Sequence, residues 1–125
     1  MLYSIQMATI QDLLTRGVEK IYPSREELER ALKKKLRVYQ GFDPTSPQLH
    51  IGHMVGLRKL KQWQNLGHEV IFLIGDYTAT IGDPTGKDTT RVPITHDQVL
   101  KNANTYKEQA SRILKFDGEN PVKMM

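Results

Sequence analysis

Two histidines, His50 and His53, stand three positions apart in the string LHIGH, with Gly52 between them. If a helix opens there, both imidazoles point to the same side of its first turn. A helix N-terminus carries unpaired N–H groups and a partial positive charge, and together these attract phosphate. Gly52 has no Cβ and leaves room for a ligand to approach the backbone. Types and spacing therefore fit a cradle for a nucleotide triphosphate. Two histidines with no third ligand nearby argue against zinc, and no metal site is expected. A second polar string, GDYTATIGDPTGKDTTR over 75–91, carries Asp83, Lys87 and Arg91. It lacks the G-x-x-x-x-G-K-[ST] spacing of a nucleotide-binding P-loop, and Asp88 follows Lys87. By themselves, Lys87 and Arg91 read as a solvated basic loop. Asp83 lies in a turn pre-bent by Gly82 and Pro84, so it either bonds its own backbone or faces an ammonium group.

The composition sets the frame. A chain of 125 residues has room for one small domain with a real core. It has no cysteine, hence no disulfide framework and no thiolate metal site. No apolar run reaches the ~18 residues that a membrane span needs. The opening MLYSIQMATIQDLL lacks the basic flank and long apolar stretch of a signal peptide, so the cytoplasm is the expected location. The formal net charge of +4 fits an anionic partner such as a nucleotide or RNA. It equally fits the ordinary charge excess of a soluble domain.

The string GFDPTSPQLHIGH over 41–53, followed by GDYTATIGDPTGK from Gly75, resembles the bacterial tyrosyl-tRNA synthetases. These belong to the class I aminoacyl-tRNA synthetases, whose HIGH signature is matched by His50-Ile51-Gly52-His53. The likeness runs from about Leu13 to about Lys115. HIGH alone is a four-letter motif; GFDPT before it and IGDPTGK after it make coincidence implausible. The resemblance implies an ATP-dependent tyrosine–tRNA ligase using Mg2+. Tyrosine would be activated to tyrosyl-adenylate with release of pyrophosphate, then passed to the 3′ end of tRNA(Tyr). It also implies a homodimer for the full-length enzyme. A tryptophanyl-tRNA synthetase, another class I nucleotidyltransferase and a non-catalytic RNA-binding protein are the alternatives.

Roles follow from the same resemblance. His50 and His53 would donate hydrogen bonds to the ATP phosphates as charge builds on the leaving pyrophosphate. Thr45 would join His50 on the terminal phosphates; a plain turn threonine is the other reading. Asp43, Pro44 and Gly52 would border the ATP site. Tyr39, Gly41 and Asp83 would border tyrosine, with Asp83 facing its ammonium. Tyr39 contacts the substrate phenol in one branch of the family, whereas the TATIGDPTGK loop resembles the other branch; a packed strand tyrosine is the alternative. Lys87 and Arg91 would close over pyrophosphate on a mobile loop, binding the transition state more tightly than ATP itself.

The elements that must position these groups read as α/β, the first half of a Rossmann-like parallel-sheet domain. Residues 1–35 read as a helical N-terminal extension, with helices over 9–16 and 25–35. The first has Thr9 as cap and Gly17 as its stop, and the second has a Ser24/Glu27 capping box. Residues 36–125 read as the N-terminal part of the catalytic domain. Leu36–Gln40 is a strand running into a loop that Pro44 and Pro47 keep irregular. The next helix ends near Leu66 and packs Leu57, Leu60, Trp63 and Leu66 on the sheet, with Arg58, Lys59 and Lys61 in solvent. Val70–Ile74 is an unbroken apolar strand, as in a parallel sheet covered on both faces. Strand, helix and strand make a right-handed crossover whose strand ends carry the site. Residues 75–91 read as loop. A last helix, opened by a Thr95/Gln98 capping box, has apolar positions at Val99, Ala103, Tyr106, Ala110, Ile113 and Leu114 and reads as structural. Two strands do not complete such a sheet, so the expectation is an N-terminal portion of a longer enzyme, inactive alone.

Overall fold

In the computed structural model, residues 9–81 and 93–125 are described. α1 (Ile10–Thr15) starts where the Thr9 hydroxyl accepts the Asp12 N–H, and α2 (Arg25–Ala31) where Ser24 accepts the Glu27 N–H. Each cap satisfies a donor the helix cannot satisfy itself. α1 gives way to Gly17 at φ +67°, as its sequence predicts. α2 stops short of the lysine run: the Lys33 and Lys34 N–H groups bond back only three residues, which winds the chain out of the helix.

β1 (Arg37–Phe42) and β2 (Glu69–Ile74) pair in parallel, from Arg37 opposite Glu69 to Phe42 opposite Ile74. α3 (Ile51–Asn65) is the crossover between them. A short α4 (Asp76–Ile81) follows β2 where the sequence reading has loop. The Gly/Thr character of that stretch conceals one short turn, which buries Ala79. α5 (His96–Ala110) is capped by Thr95 as expected. A third strand, β3 (Lys123–Met124), pairs in parallel with Ile71 and Phe72 and gives the order β1-β2-β3. Two residues are too few to show alternation, so sequence pattern does not reveal it.

The core lies on one face of this sheet. Phe42, Val70 and Phe72 meet Leu57 and Leu60 of α3 and Tyr106 and Ala110 of α5, closed by Leu114 and Val122. The rings of Phe42 and Phe72 stack at 4.2 Å. The apolar run of β2 suggests helices on both faces. Among the described residues α3 and α5 share a single face, and Tyr39 (69% exposed) and Leu73 (36%) stand on the other. A second cluster, Leu13, Leu14 and Leu32 with Trp63 and Leu66, fastens α1 and α2 to the far end of α3. Lys59, expected in solvent, donates from Nζ to Leu13 O (2.9 Å) and Arg16 O (2.7 Å), holding the end of α1 against α3.

Polar groups close the C-terminal end of α3. The Gln64 amide donates to Lys115 O (2.7 Å) and Asn120 O (2.9 Å), and its oxygen accepts the Lys115 N–H (3.1 Å). Asn120 donates to Gln64 O and His68 O, and His68 Nδ1 accepts the Leu36 N–H at 3.1 Å. At the start of the sheet, Glu69 on β2 receives Arg37 of β1 (2.8 Å) and Lys123 of β3 (2.5 Å).

Candidate nucleotide site

A cleft of about 410 Å³ opens at the carboxyl ends of β1 and β2. Asp43, Thr45, His50 and His53 line one wall, Ala79 to Ile81 and Pro93 to Ile94 another, and Tyr106 lies at its base. Four of the side chains assigned from sequence thus meet in one place. A parallel sheet collects its strand-end loops on one side, which accounts for the meeting.

The two histidines bond differently from the sequence expectation. His50 is the N-cap of α3, one residue before the helix, and its Nδ1 accepts the Gly52 N–H at 3.0 Å. His53 Nδ1 accepts the His50 N–H, also at 3.0 Å. Two of the N–H groups that a helix start would offer to phosphate are therefore bonded to the rings. In exchange, each neutral imidazole must carry its proton on Nε2, because its Nδ1 is an acceptor. The ring centroids lie 3.8 Å apart. Burial, and then the neighbouring His50, lower the pKa of His53 from its ordinary 6.5. With both Nδ1 atoms accepting, the pair presents its Nε2 atoms as the donors. The room beside Gly52 is taken by the His50 ring: a Cβ there would lie 2.8 Å from its Cε1.

Asp43 joins the two strand ends. Its Oδ1 accepts the Thr78 hydroxyl of α4 at 2.6 Å. The Gly75 N–H bonds Phe42 O, and a Cβ on Gly75 would collide with the Asp43 carboxylate and the Thr78 hydroxyl. Only glycine allows that approach. The Thr45 N–H bonds Asp43 O at 2.8 Å in a tight turn. Pro44 is fully buried under this loop. Tyr39 and Gly41 do not line the cleft; they lie on the open sheet face, and Tyr39 is not packed within the described core. Asp83, Lys87 and Arg91 lie outside the described residues. No group of three His, Asp or Glu side chains placed to hold a metal occurs among the described residues.

Sequence reasoning passes over α5, which supplies Tyr106 and the buried Asn102. Burial raises the Tyr106 pKa, with a hydrogen bond to Ser46 acting against it. Asn102 Nδ2 donates to Pro44 O at 2.8 Å. A signal was available: Asn102 interrupts an otherwise apolar face, next to Val99, Ala103 and Tyr106.

The parallel βαβ unit thus sets the His50-Ile51-Gly52-His53 helix start at its strand ends, where open parallel sheets place their ligand sites. The model of the family described as tRNA synthetases class I (W and Y) matches residues 31–123, and the chain belongs to that family. Among curated relatives, the tyrosine–tRNA ligase of Haemophilus ducreyi is 57% identical over 103 residues, covering 81% of this chain and 26% of the relative. That of Legionella pneumophila strain Lens is 57% identical over 106 residues, and that of Coxiella burnetii 56% over 105, each covering 83% of this chain and 26% of the relative. Among solved structures, a C-terminally truncated mitochondrial tyrosyl-tRNA synthetase of Coccidioides posadasii superposes with a TM-score of 0.62 at 29% identity. It covers 82% of this chain and 30% of that one. The chain spans about a quarter of the length of the curated relatives it matches.

Proposed function

We propose that this chain contributes the nucleotide-binding part of a tyrosine–tRNA ligase. The observation that carries the reading is the His50–His53 pair lining the cleft at the strand ends, with each Nδ1 taken by a backbone N–H so that Nε2 is the donor. The tyrosine–tRNA ligases among its relatives support the choice of amino acid.

In the first step the tyrosine carboxylate attacks the α-phosphorus of ATP. The bond from that phosphorus to the bridging oxygen breaks, and pyrophosphate leaves with its electron pair. The reaction asks for alignment and charge stabilisation more than for a covalent side chain. His50 and His53 supply fixed donors as charge grows on the leaving group. Thr45 binds the terminal phosphates, and Asp43, Pro44 and Gly52 shape the edge of the nucleotide site. Tyr39, Gly41 and Asp83 belong to the tyrosine side, and Lys87 and Arg91 to the closing loop; these rest on the family resemblance. Mg2+ would travel with the triphosphate, held by phosphate oxygens and water. The tyrosyl group then passes to the 3′ end of tRNA(Tyr). We further infer a homodimeric, cytoplasmic enzyme; no described helix is long and apolar enough to cross a membrane.

The test is exchange of labelled pyrophosphate into ATP by the complete gene product. Tyrosine-dependent exchange is expected. Exchange with tryptophan alone would move the assignment to the other amino acid of the family. RNA binding without exchange for either would make the protein a binder.

A further inference from the structure

We propose that the polar stripe of α5 — Asn102, Thr105 and Gln109 — is a positioning device that sets the loop bearing Thr45 and His50. This rests on the phosphate reading of those two residues. The three side chains, at spacings of three and four, lie on one face of the helix. Each reaches the loop backbone. Asn102 Nδ2 donates to Pro44 O (2.8 Å) and the Thr105 hydroxyl to Pro47 O (2.6 Å). Gln109 Nε2 donates to Pro47 O (2.9 Å), and Gln109 Oε1 accepts the Leu49 N–H (2.9 Å).

The bonds bracket the loop: one falls at Pro44, immediately before Thr45, two at Pro47, and one at Leu49, immediately before His50. Pro44 and Pro47 bring carbonyls but no N–H, so this loop has few bonds of its own and needs outside donors. The amide orientations are set by the partners: Gln109 faces a carbonyl with one end and an N–H with the other. Gln98 donates to Asn102 Oδ1 at 2.9 Å and so turns its nitrogen toward Pro44. Helix packing does not explain the stripe. Val99, Ala103, Tyr106 and Ala110 already bury the apolar face. Asn102 is 2% exposed, a costly place for an amide that has no partner to serve. Pro47 O is served twice, whereas among the described residues Gln109 is the sole partner of the Leu49 N–H. Gln109 is therefore the link that fixes where His50 begins α3.

The test uses the complete gene product with Gln109→Leu, Gln109→Glu, Thr105→Val and the exposed-face control Lys101→Ala. Gln109→Leu should lower kcat for tyrosine-dependent exchange by about tenfold or more, since small misplacements of reacting groups are expensive. The KM for tyrosine should stay within about twofold, because binding of the amino acid does not use this loop. Gln109→Glu keeps the acceptor for Leu49 and should recover part of the loss. The imidazole NMR signals of His50 should move in Gln109→Leu and not in Lys101→Ala. Unmoved His50 signals, or an unchanged kcat in folded Gln109→Leu, would overturn the proposal. If the wild type shows no exchange, the ligase reading fails and the NMR comparison still decides the positioning role. If Gln109→Leu does not fold, Thr105→Val is read in its place, with a smaller shift in the same direction.

Discussion

The two ends of α3 use the same kinds of residue for opposite ends. At the C-terminal end, Gln64, His68 and Asn120 bond backbone groups of the neighbouring loops. Gln64 is 7% exposed and His68 6%. At the N-terminal end, His50 and His53 use one ring nitrogen each on the backbone, and among the described residues the other has no partner. The difference lies in where the second ring nitrogen stands: His50 and His53 line the cleft, whereas His68 packs edge-on against Trp63, away from it. Histidine alone does not distinguish them; His68 and His53 both have Nδ1 on a backbone N–H, and both have pKa values lowered by burial.

The contrast can be broken most sharply at His53. On the proposed reading, replacing it by alanine removes one donor facing the leaving group, which typically costs ~10²–10³ in rate. The lost backbone contact should cost only about 1 kcal/mol of stability. Exchange kinetics and urea denaturation of the same variant check both halves; a large loss of stability with little loss of rate would merge the two ends into one class. Gln64→Leu is the mirror experiment. It strands the Lys115 N–H and the Asn120 carbonyl, while Lys115 O keeps the Val122 N–H, so about 2–4 kcal/mol of stability should go while kcat per folded molecule stays unchanged.

Acid sharpens the comparison more gently. His53 and His68 have folded pKa values below their ordinary 6.5, so the unfolded chain binds protons first as pH falls. Stability is therefore full above about 6.5 and declines as pH drops through the window beneath it. Denaturation midpoints between pH 7.5 and 5 should show this slope, and His53→Ala should flatten it only in part. Glu69 gives the smallest effect. Hydrogen bonds from Lys123, then Arg37, bring its carboxyl to about 2, so its contribution is present above the ordinary 4.5 and is lost as pH falls from there toward about 2. All three charges sit near solvent, where salt screens them. Glu69→Gln should lower the thermal midpoint slightly in dilute buffer, and the difference should fade in concentrated salt.

Much of this was legible because it was local. Capping residues Thr9, Ser24 and Thr95 announce their helices, and LHIGH announces the turn that carries the site. What the sequence hid was set by partners far along the chain. β3 exists only because Ile71 and Phe72 offer it a ladder, and two residues carry no pattern of their own. α4 is six residues, most of them poor helix formers, held by its neighbours. Asn102, Thr105 and Gln109 look like ordinary surface polarity until the loop 58 to 62 residues earlier is laid against them. Even the HIGH glycine was readable only in type: its open side faces its own histidine.

Lys59 turns the docking of α1 into something that can be footprinted. Its ammonium is committed to two carbonyls at the end of α1, and burial lowers its pKa. An acylating reagent needs the free amine, so Lys59 must let go of α1 before it reacts. Exposed lysines such as Lys101 label at the rate of the reagent; Lys59 labels at the rate at which the first helix leaves. A mass-spectrometric time course of acylation would then record the opening of that joint as one slow peptide among fast ones.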